Sequence, residues 1–162
     1  MAKPQERSFL GFSFTFGEQP RIKLSAKALK EVKRRIKLIT RRSRGISLQH
    51  IIEQLSTFLR GWLRYYQLIE TPTVLRDLES WIRRRLRCFM VKRWINNCHT
   101  RFKRLVALGV SPANATPVAG SRRGPWALSN MKPVKVAMPN RFFAERALLD
   151  LLGRYEALRK AA

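Results

Sequence analysis

The sequence predicts a mainly α-helical protein: a three-helix bundle preceded by a short β-hairpin and followed by an irregular basic tail with a terminal helix. Three observations carry this reading. Between Ser25 and Asn96, apolar residues recur at three- and four-residue steps in three successive stretches. Ahead of Ser25, aromatic residues alternate with small ones, the two-residue period of a strand. Beyond Asn97 the pattern weakens, and residues 110–140 hold five of the eight prolines.

The elements follow in order. In FLGFSFTF (residues 9–16), Phe12, Phe14 and Phe16 would share one strand face. Gly17 to Pro20 reads as a turn and Arg21 to Leu24 as a second short strand. Such a hairpin alone is marginal in water. Ser25 offers an N-cap to the first helix, because its hydroxyl can accept from an orphan first-turn amide. Leu29, Val32, Ile36 and Ile39 then mark one helix face, and the helix should end between Arg41 and Gly45. Ser47 can cap a second helix, whose wide apolar face runs from Leu48 through Ile51, Ile52, Leu55 and Leu59 to Trp62 and Tyr66. Thr71-Pro72 pairs a capping threonine with proline at the first helical position. The third helix would run to about Asn96, with Leu75, Leu78, Ile82, Leu86 and Phe89 inward. Arg101 to Leu108 reads as a short helix stopped by Gly109, Ser129 to Asn140 as loop, and Phe142 to Leu158 as one terminal helix.

Charge limits the partners. The 162 residues carry 34 Lys and Arg against 10 Asp and Glu, a formal net charge of +24. Such a chain repels itself unless a polyanion neutralises it, which points to nucleic acid ahead of an anionic membrane surface. From Arg21 to Arg44 there are eleven basic residues and one acid, Glu31, and no acid at all lies between Ser80 and Ala144. Candidate RNA-binding residues are Lys27, Lys30, Arg34, Lys37, Arg41, Arg42 and Arg44 on and after the first helix. Arg60 and Arg64 join them on the second, and Arg83, Arg84, Arg85, Arg87, Lys92 and Arg93 on the third. The third-helix arginines should fan around its exposed half, since each step turns about 100°. Standing off the apolar stripe, they are expected to be dispensable for folding. A merely solvated face would mix both signs, and this one does not. Tyr65, Tyr66, Trp81, Trp94 and Trp126 lie among the charges, where either base stacking or core packing would use them. Trp62 falls on the apolar stripe and reads as core. In Gly120 to Trp126 (GSRRGPW), a loop could bring Arg122 and Arg123 to a phosphate, or could serve to tuck Trp126 inside.

Several chemistries find no support. Cys88 and Cys98 are the only cysteines and His50 and His99 the only histidines, and no CxxC pair is present, so a zinc site is not expected. Two thiols without a disulfide framework fit a reducing cytoplasm. MAKPQERSFLGF lacks the apolar stretch of a signal peptide. Asp77 and Glu79 would point apart on one helix, and Glu145 and Asp150 read as solvated or salt-bridged. No paired aspartates follow a strand as a two-metal site requires, and no Gly-rich Lys-Ser/Thr loop occurs, so no catalytic residue is assigned.

Taken in order, three segments resemble a known family. FLGFSF resembles the last strand motif of the reverse-transcriptase palm. RGWLRYY (Arg60 to Tyr66) followed by WIRRRLR (Trp81 to Arg87) resembles the thumb, or X, domain of group II intron maturases, and GSRRGPWALS (Gly120 to Ser129) that family's closing motif. The resemblance covers about residues 8–130. It implies a palm remnant over 1–24, a maturase-specific domain over 25–130, and a C-terminal tail with a helix over 131–162. It further implies a domain that binds structured group II intron RNA and assists its splicing. The alternative it implies is the thumb of a split or truncated RNA-directed DNA polymerase, inactive alone. The partners that follow are intron RNA, a template–primer duplex and a separately encoded polymerase core. Family catalysis resides in a palm Tyr-Ala-Asp-Asp motif with a further upstream Asp. Neither is present here, so no cofactor is expected, with Mg²⁺ entering only if a separate palm completes the site.

Overall fold

The computed structural model describes residues 9–41, 45–94 and 97–161. It is mainly helical, with one two-stranded antiparallel sheet at the N-terminal end. Strands β1 (Phe12–Phe14) and β2 (Ile22–Leu24) pair with Phe12 opposite Leu24 and Phe14 opposite Ile22. Of the three phenylalanines expected on one face, Phe12 alone is covered. Its ring lies 5.2 Å from Tyr66 and 6.1 Å from Tyr65, while Phe14 and Phe16 stay exposed. Gly11 has φ +86°, and a Cβ there would collide with the Tyr66 hydroxyl, so glycine permits both the turn and the close approach. The far edge of β2 is tied down too: the Ile22 amide donates to the Glu70 carboxylate, and the Glu70 amide to the Ile22 carbonyl, both at 2.7 Å.

Helices α1 (Ala26–Ile39), α2 (Leu48–Tyr65) and α3 (Thr73–Arg93) follow. Ser25 and Ser47 cap the first two as expected, accepting from the Ala28 amide at 3.1 Å and the His50 amide at 3.2 Å. The start of α3 differs. Pro72 takes the cap position in helical conformation, Thr71 makes no capping bond, and the Pro72 carbonyl accepts from Leu75 and Arg76. The helix ends at Arg93 with Trp94 as its cap, short of the expected Asn96, a residue outside those described. Ile36, Ile51, Ile52, Leu55, Leu59, Leu75, Leu78, Ile82 and Leu86 are all at most 1% exposed and form the centre of the core.

The C-terminal third departs most from expectation. Helix α4 (Cys98–Ala107) starts earlier than Arg101, because the Asn97 side chain accepts from the His99 amide at 2.8 Å. It stops near Gly109, at φ +86°. Residues 110–140, expected to be irregular, contain α5 (Pro112–Ala119), α6 (Pro125–Leu128) and α7 (Lys132–Ala137). Proline breaks a helix interior, yet Pro112, Pro125 and Pro133 sit in first turns, where the missing N–H costs nothing and the fixed φ suits a helix. The expected terminal helix is divided into α8 (Asn140–Ala144) and α9 (Leu151–Lys160). Ala147 breaks it at φ +61°, and Asp150 caps the second piece through the Gly153 amide at 2.9 Å. Val134, Met138, Phe143 and Leu151, all fully buried, join the same core as the bundle. Helix α6 packs on α3, and α9 on α2 and α3. Among the described residues no helix is long and apolar enough to cross a membrane.

Candidate nucleic-acid interface

The outward face of α1 carries the most regular array of cations. Val32, Ile36 and Ile39 turn inward, which leaves Lys27, Lys30, Arg34 and Lys37, at alternating three- and four-residue steps, on the opposite side. All four are exposed, with about one cation for each 5.4 Å turn. Arg41 extends the row just past the helix, its amide donating to the Leu38 carbonyl. Within the helix, Glu31 engages Arg34 through both oxygens, at 2.6 and 2.8 Å. That pairing holds the Glu31 carboxyl below its ordinary range. Arg42 and Arg44 lie outside the described residues.

Beside this row, α1 and α2 enclose an open groove of about 790 Å³ lined by Arg35, Leu38, Arg41, Glu53, Thr57 and Phe58, among others. A second hollow of about 350 Å³ shares Arg35 and Phe58 and reaches Arg34, Trp62 and Tyr66. Arg35, absent from the sequence-based candidates, therefore faces both. On α2, Arg60 and Arg64 are exposed and lie one turn apart.

The third-helix arginines do not fan over a solvent face. Each arginine of α3 has a different partner. Arg83 pairs with Glu79 at 3.5 Å, the pair leaving 18% and 12% of the side chains exposed. The guanidinium of Arg84 lies 4.0 Å from the Trp126 ring and donates to its carbonyl at 3.3 Å. Arg85 donates to the Thr40 hydroxyl at 2.8 Å, joining α3 to the end of α1. Arg87 is buried, donates to the Met138 carbonyl at 2.9 Å, and stands 5.5 Å from the Phe143 ring. Burial, then the charge of Arg83, pulls its pKa below the usual arginine value. The expectation that these residues are exposed is therefore corrected, most clearly for Arg87. Its carbonyl partner terminates α7, an element not foreseen in the sequence. Lys92 and Arg93 remain exposed, with Arg93 beside Trp94 and Arg104 in a hollow of about 310 Å³.

The aromatic residues divide. Trp94 is core, at 6% exposure, and Trp62 is half-buried against Tyr66. Trp81 lies between Lys33 of α1 and Arg85 of α3, at 5.7 and 5.4 Å. Tyr65 and Trp126 are exposed. Trp126 is thus not tucked inside, and the loop ahead of it leaves Arg122 and Arg123 exposed. That loop is held by Arg101, a buried residue whose guanidinium donates to the Val118 and Ser121 carbonyls, both at 3.0 Å. Nothing in the sequence around Arg101 separates it from the exposed Lys103 and Arg104. Among the described residues no three His, Cys, Asp or Glu side chains cluster so as to hold a metal ion.

No curated protein matches the chain. Residues 29–107, from the first turn of α1 to the end of α4, match the family model of the group II intron, maturase-specific domain. The N-terminal hairpin and GSRRGPW lie outside the matched stretch. Residues 29–107, which hold the α1 row of cations except Lys27, thus form a group II intron maturase-specific domain.

Proposed function

We propose that this domain binds structured group II intron RNA and assists its splicing, with the exposed row Lys27, Lys30, Arg34, Lys37 and Arg41 as its principal contact with the phosphate backbone. The single observation that carries this reading is the row itself: one cation per helical turn, fully outward, on a domain of the maturase-specific family. A polyanion with regularly spaced charges is the ligand such a row fits. Arg60, Arg64, Lys92, Arg93, Arg122 and Arg123 are exposed and available for further backbone contacts. Arg83, Arg84 and Arg85 act first as braces, and Arg87 has no route to a phosphate without unfolding.

The test is splicing of a group II intron precursor RNA at a magnesium concentration where the RNA alone splices poorly. Adding the full chain should raise the spliced fraction, and a chain with Lys27, Lys30, Lys37 and Arg41 replaced by Gln should not. Equal stimulation by both proteins, or by neither, would count against the reading.

A second reading has its own support. Phe9, Leu10, Phe14 and Phe16 stand exposed along the hairpin, at 78, 64, 42 and 70%. Such an apolar surface suits docking against a separately encoded polymerase core, with this chain as its thumb and a template–primer duplex as the shared ligand. Any Mg²⁺ would then belong to that core.

A further inference from the structure

Trp126 is the second residue of α6 and sits on α3 in an unusual way. The Arg84 guanidinium lies 4.0 Å from the indole, and its Nε is shut off from solvent without a hydrogen-bond partner. Trp126 as a residue nevertheless stays 39% exposed. The cation is therefore the inner layer and the indole the outer one. Core packing does not account for this arrangement, since Trp94 is covered to 6% exposure by the same bundle. The platform is also held still. The Ser129 hydroxyl, itself fully buried, donates to the Trp126 carbonyl at 2.7 Å. Pro125 restricts the residue before it, and Arg101 donates to the Ser121 carbonyl at 3.0 Å. The Arg123 amide donates to the Ser121 hydroxyl at 3.2 Å, and Arg122 and Arg123, four and three residues before Trp126 in the chain, are exposed.

An exposed indole, with two exposed arginines three and four residues earlier in the chain, has the chemistry of a stacking platform: the ring takes the face of a base, and the arginines take the adjoining phosphates. Paired bases have both faces covered by their neighbours, so the ligand must be a nucleotide outside a continuous stack. We propose that Trp126, backed by Arg84 and flanked by Arg122 and Arg123, seats a single unpaired base of the bound RNA. This rests on the RNA-binding reading above and adds a site that charge alone does not provide.

The experiment uses the full chain and two RNA hairpins of equal length, one fully paired and one with a single bulged 2-aminopurine. The wild-type chain should bind the bulged hairpin about tenfold more tightly, the scale of one base–aromatic stack. The 2-aminopurine emission should fall on binding as the base stacks. Trp126→Leu should bind both hairpins with the affinity of the paired one and leave the emission unchanged, while Trp126→Phe keeps part of both effects. Equal wild-type affinity for the two hairpins, or a preference and quench that survive Trp126→Leu, would overturn the site while leaving phosphate binding intact. Failure of both hairpins to bind while intron RNA still binds would overturn the site, and failure of intron RNA to bind at low salt would overturn the RNA-binding reading itself. The wild-type emission change needs no variant, so a misfolded substitution does not decide the outcome.

Discussion

Arg87 carries its charge into the interior, and what holds it there is one carbonyl at the end of α7 and the face of Phe143. Replacing it by Gln leaves the Met138 carbonyl without its charged donor. A hydrogen bond of that kind contributes about 1.5–3 kcal/mol. Arg87→Gln should therefore lower the melting temperature by roughly 3–12 °C, and Arg122→Gln, at an exposed site, should leave it unchanged. Thermal melts of the two variants beside wild type check this. Glu79 offers a test by pH. Burial raises its carboxyl above the ordinary 4.5, despite the Leu151 amide it accepts from at 2.9 Å and the nearby Arg83. The folded protein then holds this proton more tightly than the unfolded chain. Stability contributed by the protonated form is lost as pH rises from about the ordinary value through the raised one. Glu79→Gln keeps an acceptor for Leu151 and should flatten the decline of melting temperature across that window. An unchanged slope would contradict this account. These roles were hidden in the sequence for a simple reason. Composition gives the charge of WIRRRLR but not what surrounds each direction of the helix. α3 has neighbours on most sides, so residues off its apolar stripe are buried as well.

Among the elements, the first two helices were legible because each signal was local: a serine cap, then apolar residues at helical spacing. The α1 row was legible for the same reason, since alternating three- and four-residue steps fix a face without tertiary information. The third start was misplaced because Thr71-Pro72 admits two registers, and the helix takes the one with Pro72 at the cap. α5 to α7 failed because proline is written alike whether it ends a helix or begins one. The bundle itself makes a firm prediction. Leu55, at 0% exposure, and Ile82, at 1%, lie at its centre. An unpaired charge buried there costs at least about several kcal/mol. Leu55→Asp or Ile82→Asp should abolish the cooperative melt seen by circular dichroism at 222 nm. A wild-type melt retained in both variants would remove this core.

At the scale of the molecule, the segment after Asn130 belongs to the bundle's stability. Met138 receives Arg87, Leu151 donates to Glu79, and the Ser56 hydroxyl donates to the Ala147 carbonyl at 3.0 Å while accepting from the Leu149 amide at 3.1 Å. Deleting residues 131–162 should leave a chain that aggregates or melts without cooperativity, and a shortened chain melting like the full one would show the segment to be dispensable. The chain alone should extend no primer with Mg²⁺ and deoxynucleotides, because it lacks the paired aspartates that a two-metal clamp needs. The central claim concerns the α1 row, and the salt dependence of RNA affinity tests it most directly. Binding of a group II intron RNA should weaken steeply as salt rises, each phosphate contact adding roughly 0.7–0.9 to the log–log slope. With Lys27, Lys30, Lys37 and Arg41 replaced by Gln, the slope should flatten by up to about four contacts' worth while the melting temperature holds. A scrambled RNA of equal length should compete poorly against wild type. An unchanged slope in the folded variant, or a scrambled RNA that competes as well as the intron, would contradict the account.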